Sequence, residues 1–206
     1  MDKVKKISNN FNELQLQQTL SFEQFYALTE LCVKTGTTTG RELTPIRIDA
    51  TTLNLQRMNR LIKTAHLMPF WDTVDRKQTE NLRWLILTEA WCGDAAQIVP
   101  VLHKIADKLL IRMDLILRDE HPEVADKYQF NGTRSIPMLI CFDTKTGDEL
   151  GVWGPRPKEA QEIVEEAKSK GIPHDEWVIY VQNWYNQNKT VSLQNELFSF
   201  VSNCLV

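Results

Sequence analysis

Cys92 is the residue of this sequence whose surroundings are best suited to chemistry. Trp91 precedes it, Gly93 follows it, and the residues after Gly93 have the apolar spacing of a helix. A thiol reacts as the thiolate, and the N–H groups and positive dipole end at a helix start stabilise that anion. Gly93 lets another backbone approach closely, and Trp91 supplies a flat apolar wall. We therefore expect Cys92 to be exposed and reactive, with a pKa of about 6–8 against about 8.5 for free cysteine.

The composition excludes several other kinds of site. The 206-residue chain has a formal net charge of −3 and four cysteines, which form neither a CxxC pair nor a metal-ligand cluster. This pattern predicts no metal and no disulfide framework, and it favours a reducing, cytoplasmic location. No basic stripe indicates nucleic acid, and no apolar run approaches the roughly 20 residues of a membrane span. The residues after Met1 lack the apolar region of a signal peptide, so none is expected.

Short apolar runs alternate with helical patterns along the middle of the chain, and these elements must position Cys92. Helices are predicted after Cys92 to about residue 109, from His121 and Pro122 to about 130, and from about Pro157. The early alternation of strand and helix predicts parallel pairing, whereas the late hairpin predicts antiparallel pairing. The result is an α/β fold with a mixed central sheet flanked by helices. Its predicted strands are 84–87, 111–117, 138–142 and 149–153.

Helices are also predicted on both sides of this core. Ser21 to Gln24 form a capping-box pattern at the start of one helix. A second helix is expected over about 49–66, with an apolar stripe facing the core and Arg57, Arg60 and Lys63 turned outward. Two more are expected around 177–184 and 193–201. These patterns predict a helical N-terminal extension over 1–75, a core over 76–172 and a helical C-terminal extension over 173–206, packed as one compact domain.

Several coordinated features of the core resemble the thioredoxin superfamily. Ala90-Trp91-Cys92-Gly93 is similar to the segment that carries the thioredoxin nucleophile, and Pro100 is similar to the proline that kinks the helix after it. Arg134-Ser135-Ile136-Pro137 resembles the segment that holds the family's cis-proline. The longer Trp-Cys-Gly-Asp-Ala pattern resembles a bacterial thioredoxin-like subfamily. The resemblance implies that the bond before Pro137 is cis, that Ile136 and Pro137 position a partner beside Cys92, and that Trp91, Gly93 and Asp94 contact that partner.

The sequence departs from thioredoxins at the position of the second, resolving cysteine. That position, three residues after Cys92, is occupied by Ala95. Alanine cannot release a mixed disulfide, which excludes dithiol–disulfide cycling within this site. The buried aspartate that thioredoxins place six residues before the nucleophile is also replaced, by Ile86. Asp94 adds a negative charge near the sulfur, which we expect to oppose the helix dipole without cancelling it.

The other candidate residues have structural interpretations that we favour. We expect Cys32 and Cys141 to be buried apolar residues and Cys204 to belong to the tail, with a resolving role for Cys204 as the alternative. Arg118 and Asp119 end a parallel strand, where sites form in α/β sheets, but a structural ion pair is favoured. The remaining candidates are His103 and His121, expected to be structural, and Arg134 and Arg156, expected to be paired or solvated rather than anion-binding.

Two functions from different classes follow from these residues. The first is monothiol thiol–disulfide exchange, in which Cys92 forms mixed disulfides with a protein disulfide or with a low-molecular-weight thiol such as glutathione. The second is a non-enzymatic module that binds a protein or peptide in the groove beside Pro137. No cofactor is expected for either function. Ala95 favours binding, whereas the cysteine at the helix start favours chemistry. The sequence leaves the oligomeric state open.

Overall fold

The computed structural model describes residues 18–205. The prediction that no signal peptide is present concerns the N-terminal residues, which lie outside this range. Its four-stranded sheet confirms the predicted mixed α/β fold. The strands run in the spatial order β2-β1-β3-β4; β1 is parallel to β2 and antiparallel to β3, and β3 is antiparallel to β4. Every residue of β1 is buried, as its continuous apolar run predicts. The strands are β1 (Leu82–Thr88), β2 (Arg112–Leu117), β3 (Met138–Asp143) and β4 (Glu149–Trp153).

Helix α2 (Pro45–Thr64) ends 18 residues before the first strand begins at Leu82, and it starts earlier than its apolar stripe suggested. Helix α2 starts at residue 45 rather than near 49, because Thr44 accepts a hydrogen bond from the N–H of Arg47 and Pro45 occupies the first turn. Ser21 and Gln24 form the predicted capping box at the start of α1. The N-terminal elements are α1 (Phe22–Thr35), α2 (Pro45–Thr64), a 3₁₀ turn (Pro69–Thr73) and α3 (Arg76–Thr79).

The remaining helices follow the strands in chain order. Helix α4 begins directly after Cys92, and α5 ends at Lys127, earlier than predicted. Within residues 18–205, no helix is long and apolar enough to cross a membrane. These helices are α4 (Gly93–Leu109), α5 (Pro122–Lys127), α6 (Lys158–Ser169), α7 (His174–Asn188) and α8 (Val191–Cys204).

Side chains from both ends of the chain contribute to the hydrophobic core. Phe25 of α1, Met58 of α2 and Trp71 are as buried as the residues of β1. Gln194 of α8 links the two ends, since its Oε1 accepts hydrogen bonds from the Met68 N–H at 2.8 Å and from the Trp71 indole N–H at 3.1 Å. The helices before and after the sheet therefore pack against each other as well as against the sheet, and α2 and α7 come to lie beside the start of α4.

Candidate functional site

Cys92 caps the N-terminus of α4 and meets the segment before Pro137. Its Sγ accepts the Ala95 N–H at 3.4 Å and donates to the Ile136 carbonyl at 3.3 Å. The Ile136–Pro137 peptide bond is cis. The fold thus brings together two sequence segments that lie 44 residues apart. Ile136 lines the cavity in front of the thiol, whereas Pro137 itself is buried.

The expectation of an exposed thiol with a lowered pKa is wrong. Cys92 is only 7% exposed. Burial, followed by the charge of Asp94, raises the pKa of Cys92 to about 12. The Ala95 N–H and Arg156 act in the opposite direction and favour the thiolate, but they do not compensate for lost hydration. The helix terminus and Asp94 are visible in the local sequence, whereas the helices that cover the sulfur come from distant parts of the chain.

Asp94 belongs to a buried polar cluster beside Cys92. Its carboxylate forms an ion pair with Arg156 at 2.7 Å and accepts a hydrogen bond from the Tyr185 hydroxyl at 2.9 Å. Arg156 is therefore paired, one of the two roles expected for it. Burial and the neighbouring Asp94 raise the pKa of Tyr185 well above its ordinary value, so Tyr185 remains a hydrogen-bond donor. This cluster joins the start of α4 to α7 and keeps the charge of Asp94 compensated.

The segment before Cys92 is held by residues that the sequence analysis did not select. Glu89 is fully buried and accepts hydrogen bonds from the Thr39 hydroxyl and, at 2.8 Å, from the Asp119 N–H. Thr39 in turn accepts the Ala90 N–H at 2.9 Å, and the Asn54 amide donates to the Ala90 carbonyl at 2.9 Å. Burial raises the pKa of Glu89 to about 7. The loop and helix before the sheet thus fix the backbone that presents Cys92.

Trp91 lies against two arginines rather than standing free. The guanidinium carbons of Arg47 and Arg118 are 4.3 Å and 4.7 Å from its ring centroid, which are cation–π distances. Arg118 also pairs with Asp119 at 2.6 Å, the favoured structural ion pair. Within the part of the chain that the structure describes, the buried indole N–H of Trp91 has no hydrogen-bond acceptor. The ring forms a fixed, positively flanked wall beside Cys92.

A cavity of about 810 Å³ opens in front of Cys92. Its volume lies in the range of small-molecule sites, about 300–1,000 Å³. Helix α2 forms one wall and α7 another, so both terminal extensions contribute to the site. Arg57 lines this cavity and is half-buried, which corrects the prediction that it faces outward. Other lining residues are Ile46, Leu53, Trp91, Gly93, Asp94, Ile136, Trp177, Ile179 and Gln182.

The other cysteines lie in the core. Cys32 and Cys141 are buried as expected, but Cys204 is also buried, which corrects its assignment to the tail. Helix α8 extends to Cys204, whose thiol contacts the thiol of Cys141. This contact, followed by burial, raises the pKa of Cys141. In residues 18–205, no group of three or more His, Cys, Asp or Glu residues could hold a metal ion.

The fold and the position of Cys92 define a thioredoxin-like protein. A family model described as thioredoxin matches residues 44–168, which is more than half of the 206 residues. The chain therefore belongs to this thioredoxin family.

Individual relatives agree with this assignment. Thioredoxin of Staphylococcus epidermidis is 34% identical over 88 residues, which are 41% of this chain and 80% of that protein. Thioredoxin of Staphylococcus aureus matches with the same identity and coverage. Among solved structures, an HIV epitope-scaffold aligns over 89% of this chain and 98% of its own, with a TM-score of 0.50 and 14% identity. That last similarity concerns the fold alone.

Proposed function

We propose that this chain is a monothiol thiol–disulfide exchange protein with Cys92 as its nucleophile. The observation that carries the proposal is the placement of the Cys92 sulfur at the start of α4, against the Ile136 carbonyl and at the base of a cavity. As part of this proposal, the Trp-Cys-Gly-Asp-Ala sequence marks a bacterial thioredoxin-like subfamily. The four unpaired cysteines favour a reducing compartment such as the cytoplasm.

The proposed reaction uses one protein thiol and an external one. Cys92 gives up its proton to water, and its thiolate attacks one sulfur of a disulfide. The S–S bond of that disulfide breaks, a bond to Cys92 forms, and the departing thiolate takes up a proton. The external thiol, as its thiolate, then attacks the sulfur that is bound to Cys92. A new disulfide forms, and Cys92 is released as a thiolate that takes up a proton. Ala95 leaves no thiol in the first turn of α4 that could perform this second step.

Burial of Cys92 sets the pH dependence that we expect. Below its pKa of about 12, each unit of pH raises the thiolate fraction about tenfold. Exchange at the resting site is therefore expected to be slow at pH 7 and to accelerate throughout the range from pH 7 to 10, without the plateau of a low-pKa thiol. Bound ligand or partner that displaces the Ile136 hydrogen bond would lower this barrier.

The second candidate is a non-enzymatic binding module, and the burial and raised pKa of Cys92 favour it. In that case the same cavity binds a ligand without covalent turnover. Two experiments read by mass spectrometry separate these cases. The first measures iodoacetamide labelling of Cys92 from pH 7 to 10. The second replaces iodoacetamide with glutathione disulfide over the same pH range. Exchange predicts a glutathione adduct on Cys92 that added thiol removes, and Cys92→Ser should lack it. A thiol that labels with iodoacetamide but forms no adduct would favour the binding module.

A further inference from the structure

Arg57 is the arginine of the Cys92 cavity whose charge is least compensated. Three other arginines line this cavity, and each is ion-paired: Arg47 with Glu42 at 3.0 Å, Arg118 with Asp119 at 2.6 Å, and Arg156 with Asp94 at 2.7 Å. Among residues 18–205, Arg57 has no carboxylate in ion-pair contact. Its Nη1 instead donates to the neutral Oδ1 of Asn54 at 2.8 Å.

Arg57 is also held in place and partly desolvated. Asn54 is fully buried and is itself fixed by its hydrogen bond to the Ala90 carbonyl, so it orients the guanidinium toward the start of α4. Burial, and then the charge of Arg60, lower the pKa of Arg57, while Asp94 and Cys92 raise it. A positioned cation that has lost hydration gains strongly from an anionic ligand.

A second donor faces the same space across Gly93. Gln182 of α7 accepts a hydrogen bond from the Gln97 amide at 2.9 Å through its Oε1, which leaves its Nε2 available to donate. A Cβ built on Gly93 would stand 3.3 Å from Arg57 Nη1 and 3.3 Å from Gln182 Nε2. Because residue 93 is glycine, the space between these two donors, directly beside Cys92, stays open.

We propose that Arg57 and Gln182 bind the carboxylate of an anionic low-molecular-weight thiol or of its disulfide and hold its sulfur beside Cys92. This inference rests on the proposed exchange function and names its substrate class. The volume of about 810 Å³ suits a tripeptide-sized molecule rather than a folded protein domain. The exposed Ile46, Leu53 and Ile179 provide apolar walls for the uncharged part of that molecule.

Binding is tested with S-methylglutathione, which carries the carboxylates but no free thiol. Calorimetry on the full chain should give saturable binding, about tenfold weaker for Arg57→Gln, equivalent to about 1.4 kcal/mol. Lys63→Gln is the matched control: it removes one positive charge from the same helix at an exposed position outside the cavity, and its affinity should equal that of wild type. Binding should weaken with added salt in wild type and much less in Arg57→Gln.

A second variant covers the case in which Arg57→Gln folds poorly. Gln182→Glu keeps the acceptor for Gln97 but replaces the free donor with a carboxylate next to Arg57, and it should abolish binding. Absence of binding to wild type, or equal affinity in wild type, Arg57→Gln and Gln182→Glu, would overturn the anion site.

The exchange step is tested separately. Glutathione disulfide is anionic and bis(2-hydroxyethyl) disulfide is neutral. Loss of the Arg57 charge disfavours the Cys92 thiolate and slows both reactions alike, so the anion site predicts that Arg57→Gln slows Cys92 adduct formation about tenfold more with glutathione disulfide than with the neutral disulfide. Equal slowing with both disulfides would contradict the anion site. If neither disulfide modifies Cys92 while S-methylglutathione binding still depends on Arg57, the exchange function fails and the anion site stands.

Discussion

At the scale of single residues, burial decides the chemistry of this site. Cys92 occupies the helix position that normally lowers a thiol pKa, yet its pKa is raised because the sulfur is removed from water. The thiol also donates to the Ile136 carbonyl, a hydrogen bond that only the protonated form can make. Chemistry at Cys92 therefore depends on what a ligand or partner does to this environment.

Glu89 provides a residue-scale prediction about stability. Its pKa is about 7 in the folded protein, chiefly from burial, against an ordinary value of 4.5. The folded state therefore keeps a proton that the unfolded state loses, and stability should fall as pH rises from about 4.5 to about 7, then level off. The shift corresponds to about 3 kcal/mol. Asp119 raises and Arg118 lowers this pKa as smaller effects.

Urea unfolding between pH 5 and 8 measures this dependence. Glu89→Gln can keep both hydrogen bonds, accepting the Asp119 N–H and donating to Thr39, but it cannot titrate, so the fall in stability should flatten. Glu120→Gln is the control, because Glu120 is an exposed neighbour and its removal should leave the wild-type slope intact. Identical slopes in wild type and Glu89→Gln would show that Glu89 is already ionised at pH 5.

At the scale of elements, the first turn of α4 determines how far this site departs from a dithiol thioredoxin. Cys92 caps the helix, and Ala95 lies within that turn with its N–H on the Cys92 sulfur. Ala95→Cys should place a second thiol within reach of the first. Oxidation is then expected to form a Cys92 disulfide without rearrangement, and the variant should gain insulin-reducing activity that wild type lacks.

Thiol titration and reductase-coupled insulin reduction measure this outcome. Ala106→Cys is the matched control, because residue 106 is also a buried alanine of α4 but lies about 21 Å further along the helix and cannot reach Cys92. A failure of Ala95→Cys to oxidise would contradict a thioredoxin-like first turn. Insulin reduction by wild type would mean that another cysteine performs the resolving step.

At the scale of the whole molecule, Gln194 joins the two ends of the chain around the core. It is 1% exposed and binds Met68 and Trp71, and it donates to the His66 carbonyl at 3.0 Å. Gln194→Leu keeps the side-chain size but leaves these polar groups unpaired. At about 1–3 kcal/mol for each buried group, we expect a loss of about 3 kcal/mol in the free energy of unfolding.

Chemical denaturation gives this free energy directly. Gln187→Leu, at an exposed position on α7, should change it by less than about 0.5 kcal/mol. A loss below about 1 kcal/mol in Gln194→Leu would mean that the two extensions do not depend on this contact.

The sheet, its mixed pairing and the segments that meet at Cys92 could all be predicted from the sequence. Apolar runs and helical stripes are local patterns set by strand and helix geometry, so they can be recognised without knowledge of distant contacts. The helix start at Cys92 and the segment of Ile136 were recognised because residue type and spacing resemble thioredoxins. The start of α2 was misplaced because a cap and a proline, rather than its apolar stripe, begin that helix.

The electrostatics of the site depend on contacts between segments that are distant in sequence. Tyr185 contacts Asp94 across 91 positions of sequence, and the helices α2 and α7, which flank the core in sequence, enclose Cys92. Desolvation depends on such distant elements, so no local pattern could reveal that Cys92 is buried or that Arg57 faces inward. Arg57, Arg60 and Lys63 have similar local surroundings in the sequence, and only the packing of α2 against the start of α4 turns Arg57 toward the thiol.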